Sequence, residues 1–143
     1  MIYSSRPTEP GDVASLDIHD WDIYGKTVQP YFDQRLGDLR AYTLVADGEP
    51  FAVLCGWEVA PGTFELAMFS DQSIKQHARA FFHLATDLLE QLEAEGVRRW
   101  QTYVQCKNAI SADMNERLGF TVDAILEKYY PDDDAYLLSR VRA

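Results

Sequence analysis

The chain has 143 residues, 47% of them apolar and 13% aromatic, which is enough for one folded domain with its own core and excludes the low-hydrophobicity composition of a disordered segment. A formal charge of −10 argues against a nucleic-acid partner, whose binding depends on Lys and Arg neutralising phosphates. The opening Met1 to Arg6 has no apolar run long enough for a signal peptide or membrane span, and Cys55 and Cys106 lack metal-ligand spacing, so we expect an intracellular, reduced protein with free, buried thiols and no membrane partner.

Ile2 to Arg6 predicts a first strand, broken by Pro7-Thr-Glu-Pro-Gly before Asp12 caps a first helix that runs through Leu16 to about Tyr24 and ends at Gly25. A second helical stretch spans Thr27 to Leu36 with Pro30 inside it, and Gly37-Asp38 turns the chain. Ala41 to Ala46 and Phe51 to Val59 flank Asp47-Gly48, a strong hairpin signal, and Pro61-Gly62 introduces a third strand from Thr63 to Phe69. From Ser73 to Glu95 the positions Ile74, Ala78, Phe81, Phe82, Ala85, Leu88, Leu89 and Leu92 recur at helical intervals, and Gly96 closes that helix. Val97 to Val104 then reads as a strand, so strand, helix and strand follow in the order of a parallel crossover. Asn108 to Leu118 predicts a short helix ending at Gly119, and Val122 to Glu127 and Ala135 to Val141 predict the last two strands around the turn from Pro131 to Asp134. The acidic positions Asp12, Asp17, Asp20, Asp22, Asp132, Asp133 and Asp134 read as solvated loops and caps.

Asn108-Ala-Ile-Ser-Ala-Asp-Met-Asn-Glu-Arg-Leu-Gly-Phe joins a polar cap, a short helix and a glycine stop. It resembles the later half of the GNAT superfamily of N-acetyltransferases, whose members often read Asn-x-x-Ala-x-x-x-Tyr-x-x-x-Gly-Phe there; the tyrosine position is Asn115. The element order is similar to that family from end to end. The resemblance implies a single α/β domain over 1–143 with the GNAT fold, a mixed sheet of about six or seven strands and about four helices. It also implies a V-shaped opening where the strands before Ser70 and through Val104 diverge.

The resemblance further implies acetyl-coenzyme A as cofactor. The family's pyrophosphate loop, in which amide N–H groups at a helix start hold the anion, is matched by Lys75, Gln76, His77, Ala78, Arg79 and Ala80, with the glycines lost. Glu65 lies where the family places a general base, although strand alternation leaves its facing, like that of Glu58, open. Asn115 has no proton to give a departing thiolate, so Tyr129, Tyr130 or Tyr103 would have to substitute. Asn108 either orients the ligand or caps its helix. His19, His77 and His83 share no ligand spacing, so no metal is expected.

Phe69-Ser-Asp-Gln, Trp100-Gln-Thr-Tyr-Val, the Asn108 cap and Leu118-Gly-Phe together resemble, more narrowly, the small acetyltransferase-like internal-virion or morphogenesis proteins of tailed bacteriophages. That likeness implies a catalytically silent scaffold acting through protein contacts in a virion or its assembly, with viral structural proteins as partners and the bacterial host cytoplasm or the particle as location. Trp21, Tyr24, Tyr31 and Phe32 are then the candidate contact aromatics. The altered pyrophosphate loop and Asn115 favour this reading. The alternative is an active acetyl-coenzyme A-dependent N-acetyltransferase modifying a primary amine on a small molecule or peptide.

Overall fold

A computed structural model of the chain describes residues 1–142. In chain order it holds β1 (Tyr3–Pro7), α1 (Ile23–Val28), α2 (Phe32–Arg35), β2 (Arg40–Ala46), β3 (Glu49–Ala60), β4 (Thr63–Ser70), α3 (Ala78–Ala94), β5 (Arg99–Gln105), α4 (Ala109–Arg117), β6 (Thr121–Tyr130) and β7 (Asp133–Val141). The strands form a seven-stranded mixed sheet in the order β1-β2-β3-β4-β5-β7-β6, so the fold class is α/β as expected. Backbone contacts cluster into two compact units, one of Met1–Trp57 with Ala67–Ala85 and the other of Glu58–Leu66 with Thr86 onward.

In the first unit β1, β2 and β3 pair antiparallel, with Tyr3 opposite Ala46 and Ala46 opposite Glu49. Asp47 and Gly48 both take positive φ, 48° and 84°, the pattern of a two-residue hairpin turn whose twist matches its strands. Asp47 also ties down the chain start, because its carboxylate accepts the Ile2 N–H at 2.8 Å. Val13, Leu16, Ile18, Phe32, Val53, Cys55 and Phe69 form the buried core of this unit.

The helix expected from Asp12 to Tyr24 is absent, because the Asp12 side chain has a tertiary task. Its carboxylate accepts a bidentate bond from Arg6 (2.7 and 3.0 Å), the Glu9 N–H (2.9 Å) and the Thr43 hydroxyl (2.7 Å), and the chain only turns beside it. The cap is instead Asp22, which accepts from Gly25 N–H at 2.9 Å. Gly25 therefore sits inside the first turn of α1 and does not end a helix: a Cβ there would lie 2.5 Å from the Asp22 carboxylate. Pro30 splits the next stretch into a 3-10 turn, Gln29–Tyr31, and the short α2. Phe32 is core, 2% exposed, so it drops out of the candidate contact aromatics, whereas Trp21, Tyr24 and Tyr31 are exposed.

In the second unit β4 runs parallel to β5, and β5, β7 and β6 pair antiparallel. Gly62 (φ 77°) makes the Pro61-Gly62 turn, and its carbonyl accepts from the N–H groups of Arg98 and Arg99 at the entry to β5. Val97 precedes β5 and closes the helix end by bonding Leu92 O. Leu88, Leu89 and Leu92 bury one face of the C-terminal half of α3. Helix α4 starts on Asn108, whose Oδ1 accepts from Ser111 N–H at 3.0 Å. It ends in a Schellman turn: Gly119 (φ 87°) bonds Glu116 O, and Phe120 N–H bonds Asn115 O. Phe120, 2% exposed, buries the hydrophobic residue of that motif.

Candidate active site

The β4–β5 ladder pairs Thr63 with Arg99, Phe64 with Trp100 and Glu65 with Gln101. Alternation sends Phe64 to one face, where its ring packs 5.6 Å from the buried Trp100, and Glu65 to the other. The facing left open by the sequence is thereby fixed: Glu65 is half-buried beside Gln101 and Tyr103, two residues apart on β5. Gln101 Nε2 makes a long hydrogen bond to Glu65 Oε1 (3.3 Å), and the Tyr103 hydroxyl donates to the same oxygen at 3.1 Å. The Thr102 hydroxyl donates to Leu66 O at 2.8 Å just past the last ladder pair.

Burial raises the Tyr103 phenol pKa first, and the hydrogen bond and charge of Glu65 raise it further. That phenol keeps its proton and donates it to the carboxylate, so Tyr103 is a donor to Glu65 and a poor acid toward anything else. Tyr129 stacks on Tyr103 with centroids 5.1 Å apart and planes 7° from parallel. Tyr130 stands at 83° to Tyr129, 5.0 Å away. Tyr103, Tyr129 and Tyr130 thus form one cluster attached to Glu65. Gln101 was not singled out from the sequence; its signal is the period-two pair Gln101 and Tyr103 on the strand following the long helix.

The segment matched to the pyrophosphate loop belongs to the first unit. The Asp71 carboxylate accepts from Ser73 N–H (3.0 Å) and caps a 3-10 turn, Gln72–His77, that leads into α3. The start of the long helix is thus tighter than the expected continuous α-helix from Ser73. Lys75, Gln76, Ala78 and Arg79 are exposed and Ala80 is half-buried. His77 turns inward: its Nδ1 lies 2.9 Å from the Tyr3 hydroxyl and its ring packs on Tyr3 and Phe51, so it belongs to the core. Two exposed cations, Lys75 and Arg79, at the start of a 17-residue helix suit a diphosphate, because side-chain charge and helix dipole have the same sign there.

Asn108 is a helix cap, and the Asn115 amide folds back on its own helix, donating to Ser111 O at 2.9 Å. Both cysteines are free, Cys55 buried and Cys106 half-buried. Among the described residues no group of three or more His, Cys, Asp or Glu side chains is placed to hold a metal, and no helix is long and apolar enough to cross a membrane.

No protein-family model matches the chain, and no curated protein matches it. Solved structures do. A ribosomal-protein-S18-alanine N-acetyltransferase from Escherichia coli superposes with a TM-score of 0.77 at 20% identity, over 98% of this chain and 94% of that one. An acetyltransferase from Bacillus subtilis, solved in complex with coenzyme A, gives 0.75 at 17% identity over 99% and 100%. An acetyltransferase of the GNAT family from Streptococcus pneumoniae gives 0.73 at 15% identity over 99% and 100%. Nothing in these comparisons points to the narrower group of phage virion proteins. At such identities the likeness speaks for architecture: the chain has the GNAT fold.

Proposed function

We propose that the chain is an acetyl-coenzyme A-dependent N-acetyltransferase acting on a primary amine. The observation that carries this is the Glu65 carboxylate, held by Gln101 and Tyr103 at the end of the parallel β4–β5 ladder. Lys75 and Arg79 would hold the cofactor diphosphate, with Gln76, Ala78 and Ala80 forming the rest of that turn. When bound, the cofactor supplies an acetyl thioester, whose carbonyl carbon bonds to the amine nitrogen as the carbon–sulfur bond breaks. Glu65 Oε1 carries both hydrogen bonds, so Oε2 is the oxygen assigned to take the proton of the attacking amine. Asn115 and Tyr103 give no proton to the leaving thiolate. A thiol of ordinary pKa, about 8.5, takes one from water, so the family tyrosine is dispensable in principle.

Binding is tested by titration calorimetry with acetyl-coenzyme A, and transfer by coenzyme A release in the presence of short alkyl amines. Glu65→Gln keeps the shape and removes the base, so turnover should fall about 100-fold or more, the usual range for general base catalysis. Unchanged turnover takes Glu65 out of the mechanism. An absence of acetyl-coenzyme A binding at millimolar concentration removes the enzyme reading altogether and leaves a role in protein contacts.

A further inference from the structure

We propose that Tyr129 and Tyr130, joined through Tyr103 to Glu65, form a recognition corner for an alkylammonium cation. The acceptor of the proposed transfer is then an aliphatic amine presented in its charged form, as on a lysine side chain or an alkyl diamine. The substrate class rests on the proposed acetyl transfer; the binding corner does not.

Four observations converge on it. The near-perpendicular Tyr129 and Tyr130 rings, 5.0 Å apart, supply ring surfaces at a corner, and aromatic faces carry the negative lobe of the ring quadrupole, to which cations are drawn. The Tyr103 hydroxyl ties this corner to the Glu65 carboxylate, a negative group that draws a cation and repels an anion. Tyr129 is half exposed, at 50%, so a ligand can reach it. The chain as a whole carries −10, which concentrates cations near it. The stacked Tyr103 and Tyr129 rings, 5.1 Å apart, are too close to admit a cation between them, which places it on the outer surface of the corner.

The backbone explains how Tyr129 gets there. β6 pairs Leu126 with Ala135 and Tyr130 with Asp133, so β6 carries extra residues between these pairs and the register shifts. Lys128 sits in that bulge with φ 52°, a left-handed conformation seldom taken by a lysine, and its N–H is held by the Asp134 carboxylate at 2.8 Å. A bulge re-aims the side chain beside it. Here it brings a β6 tyrosine onto a β5 tyrosine although β7 lies between those strands in the sheet.

The test uses the full chain without cofactor. Tyrosine ring signals are followed by NMR during titration with n-butylammonium, with tetramethylammonium, which is a cation without an N–H, and with neutral n-butanol. We expect both cations, and not the alcohol, to shift the Tyr103, Tyr129 and Tyr130 rings saturably. Tyr129→Leu should weaken the cations about fivefold or more, while Tyr129→Phe, which keeps the ring, stays within about twofold. Circular dichroism of each variant guards against misfolding. An equal response to n-butanol makes the corner merely apolar, and no saturable ring shift leaves it a packing contact; either overturns the proposal. Cation binding without any coenzyme A release upholds the corner and sinks the transfer reading. Amine acetylation whose KM is the same in Tyr129→Leu does the reverse.

Discussion

Asp12→Ala is expected to destabilise the protein by about 3 kcal/mol. Asp12 is 7% exposed and Thr43 fully buried; the carboxylate accepts two bonds from Arg6, one from the Glu9 amide and one from the Thr43 hydroxyl. Truncation leaves that hydroxyl with Thr8, 2.9 Å away, as its partner, so the cost comes mainly from the unpaired Arg6 guanidinium and the Glu9 amide. Breaking a buried ion pair costs about 3 to 5 kcal/mol; the Arg6 side chain is 34% exposed and recovers some hydration, so the low end applies. With a urea slope of about 2 kcal/mol per molar, the midpoint should drop by about 1.5 M, read by fluorescence of the three tryptophans. The sign with pH is fixed as well. Burial alone would raise the Asp12 carboxyl, but Arg6, the Glu9 amide and Thr43 outweigh it and hold its pKa below the ordinary value. Its stabilisation is therefore complete above the unfolded carboxylate pKa, about 3.9, and is lost as pH falls through the folded value. The gap between wild type and Asp12→Ala should narrow below about pH 4. A loss under about 1 kcal/mol at pH 7, or a gap that does not narrow in acid, would refute the claim that this network pins β1 to β2.

Replacing both Lys75 and Arg79 with Glu should raise the acetyl-coenzyme A KM about tenfold or more at low salt, with the effect shrinking as salt is added; an unchanged KM would remove them from cofactor binding. Arg140 donates to both Glu93 oxygens (3.0 and 2.9 Å) and to Leu118 O (2.7 Å), and Glu93 is 7% exposed. Arg140→Met should cost about 3 kcal/mol in a denaturation series, and adding Glu93→Leu should return part of it. Burial pushes the Cys55 thiol up to about 12, so a thiol reagent at pH 8 should leave Cys55 untouched in the folded protein and modify it only after denaturation. Rapid labelling of the native state at Cys55 would contradict its burial.

The features legible in the sequence are those a few adjacent residues decide. Asp47-Gly48, Pro61-Gly62 and Leu118-Gly119-Phe120 each contain a backbone position at positive φ, and glycine announces such positions wherever it falls between periodic segments. The apolar spacing from Phe81 to Leu92 is equally local. The stretch from Asp12 to Gly25 is misleading because an aspartate before an apolar run looks the same whether its carboxylate caps the next turn or crosses to another strand. Asp12 crosses to Arg6 and Thr43, and Asp22, ten residues later, does the capping.

The site divides along the same line. Glu65 could be nominated from the family resemblance, but its partners follow from a parallel register between strands separated by a 17-residue helix, which no local pattern encodes. Tyr129 is further out of reach. A regular β6 would alternate evenly, and the pairing of Tyr129 with Tyr103 depends on the bulge at Lys128, where the residue in the left-handed conformation is a lysine and not a glycine. Such a position is invisible to turn rules because it breaks them. Its strain must be offset by what it arranges, and what it arranges is the meeting of three tyrosine rings beside the carboxylate proposed to take the proton. If Lys128→Gly left the stacking intact and stabilised the protein, the lysine would be incidental and the bulge alone would aim Tyr129. If it loosened the Tyr103–Tyr129 contact, the strained residue itself would be the part that holds the two rings together.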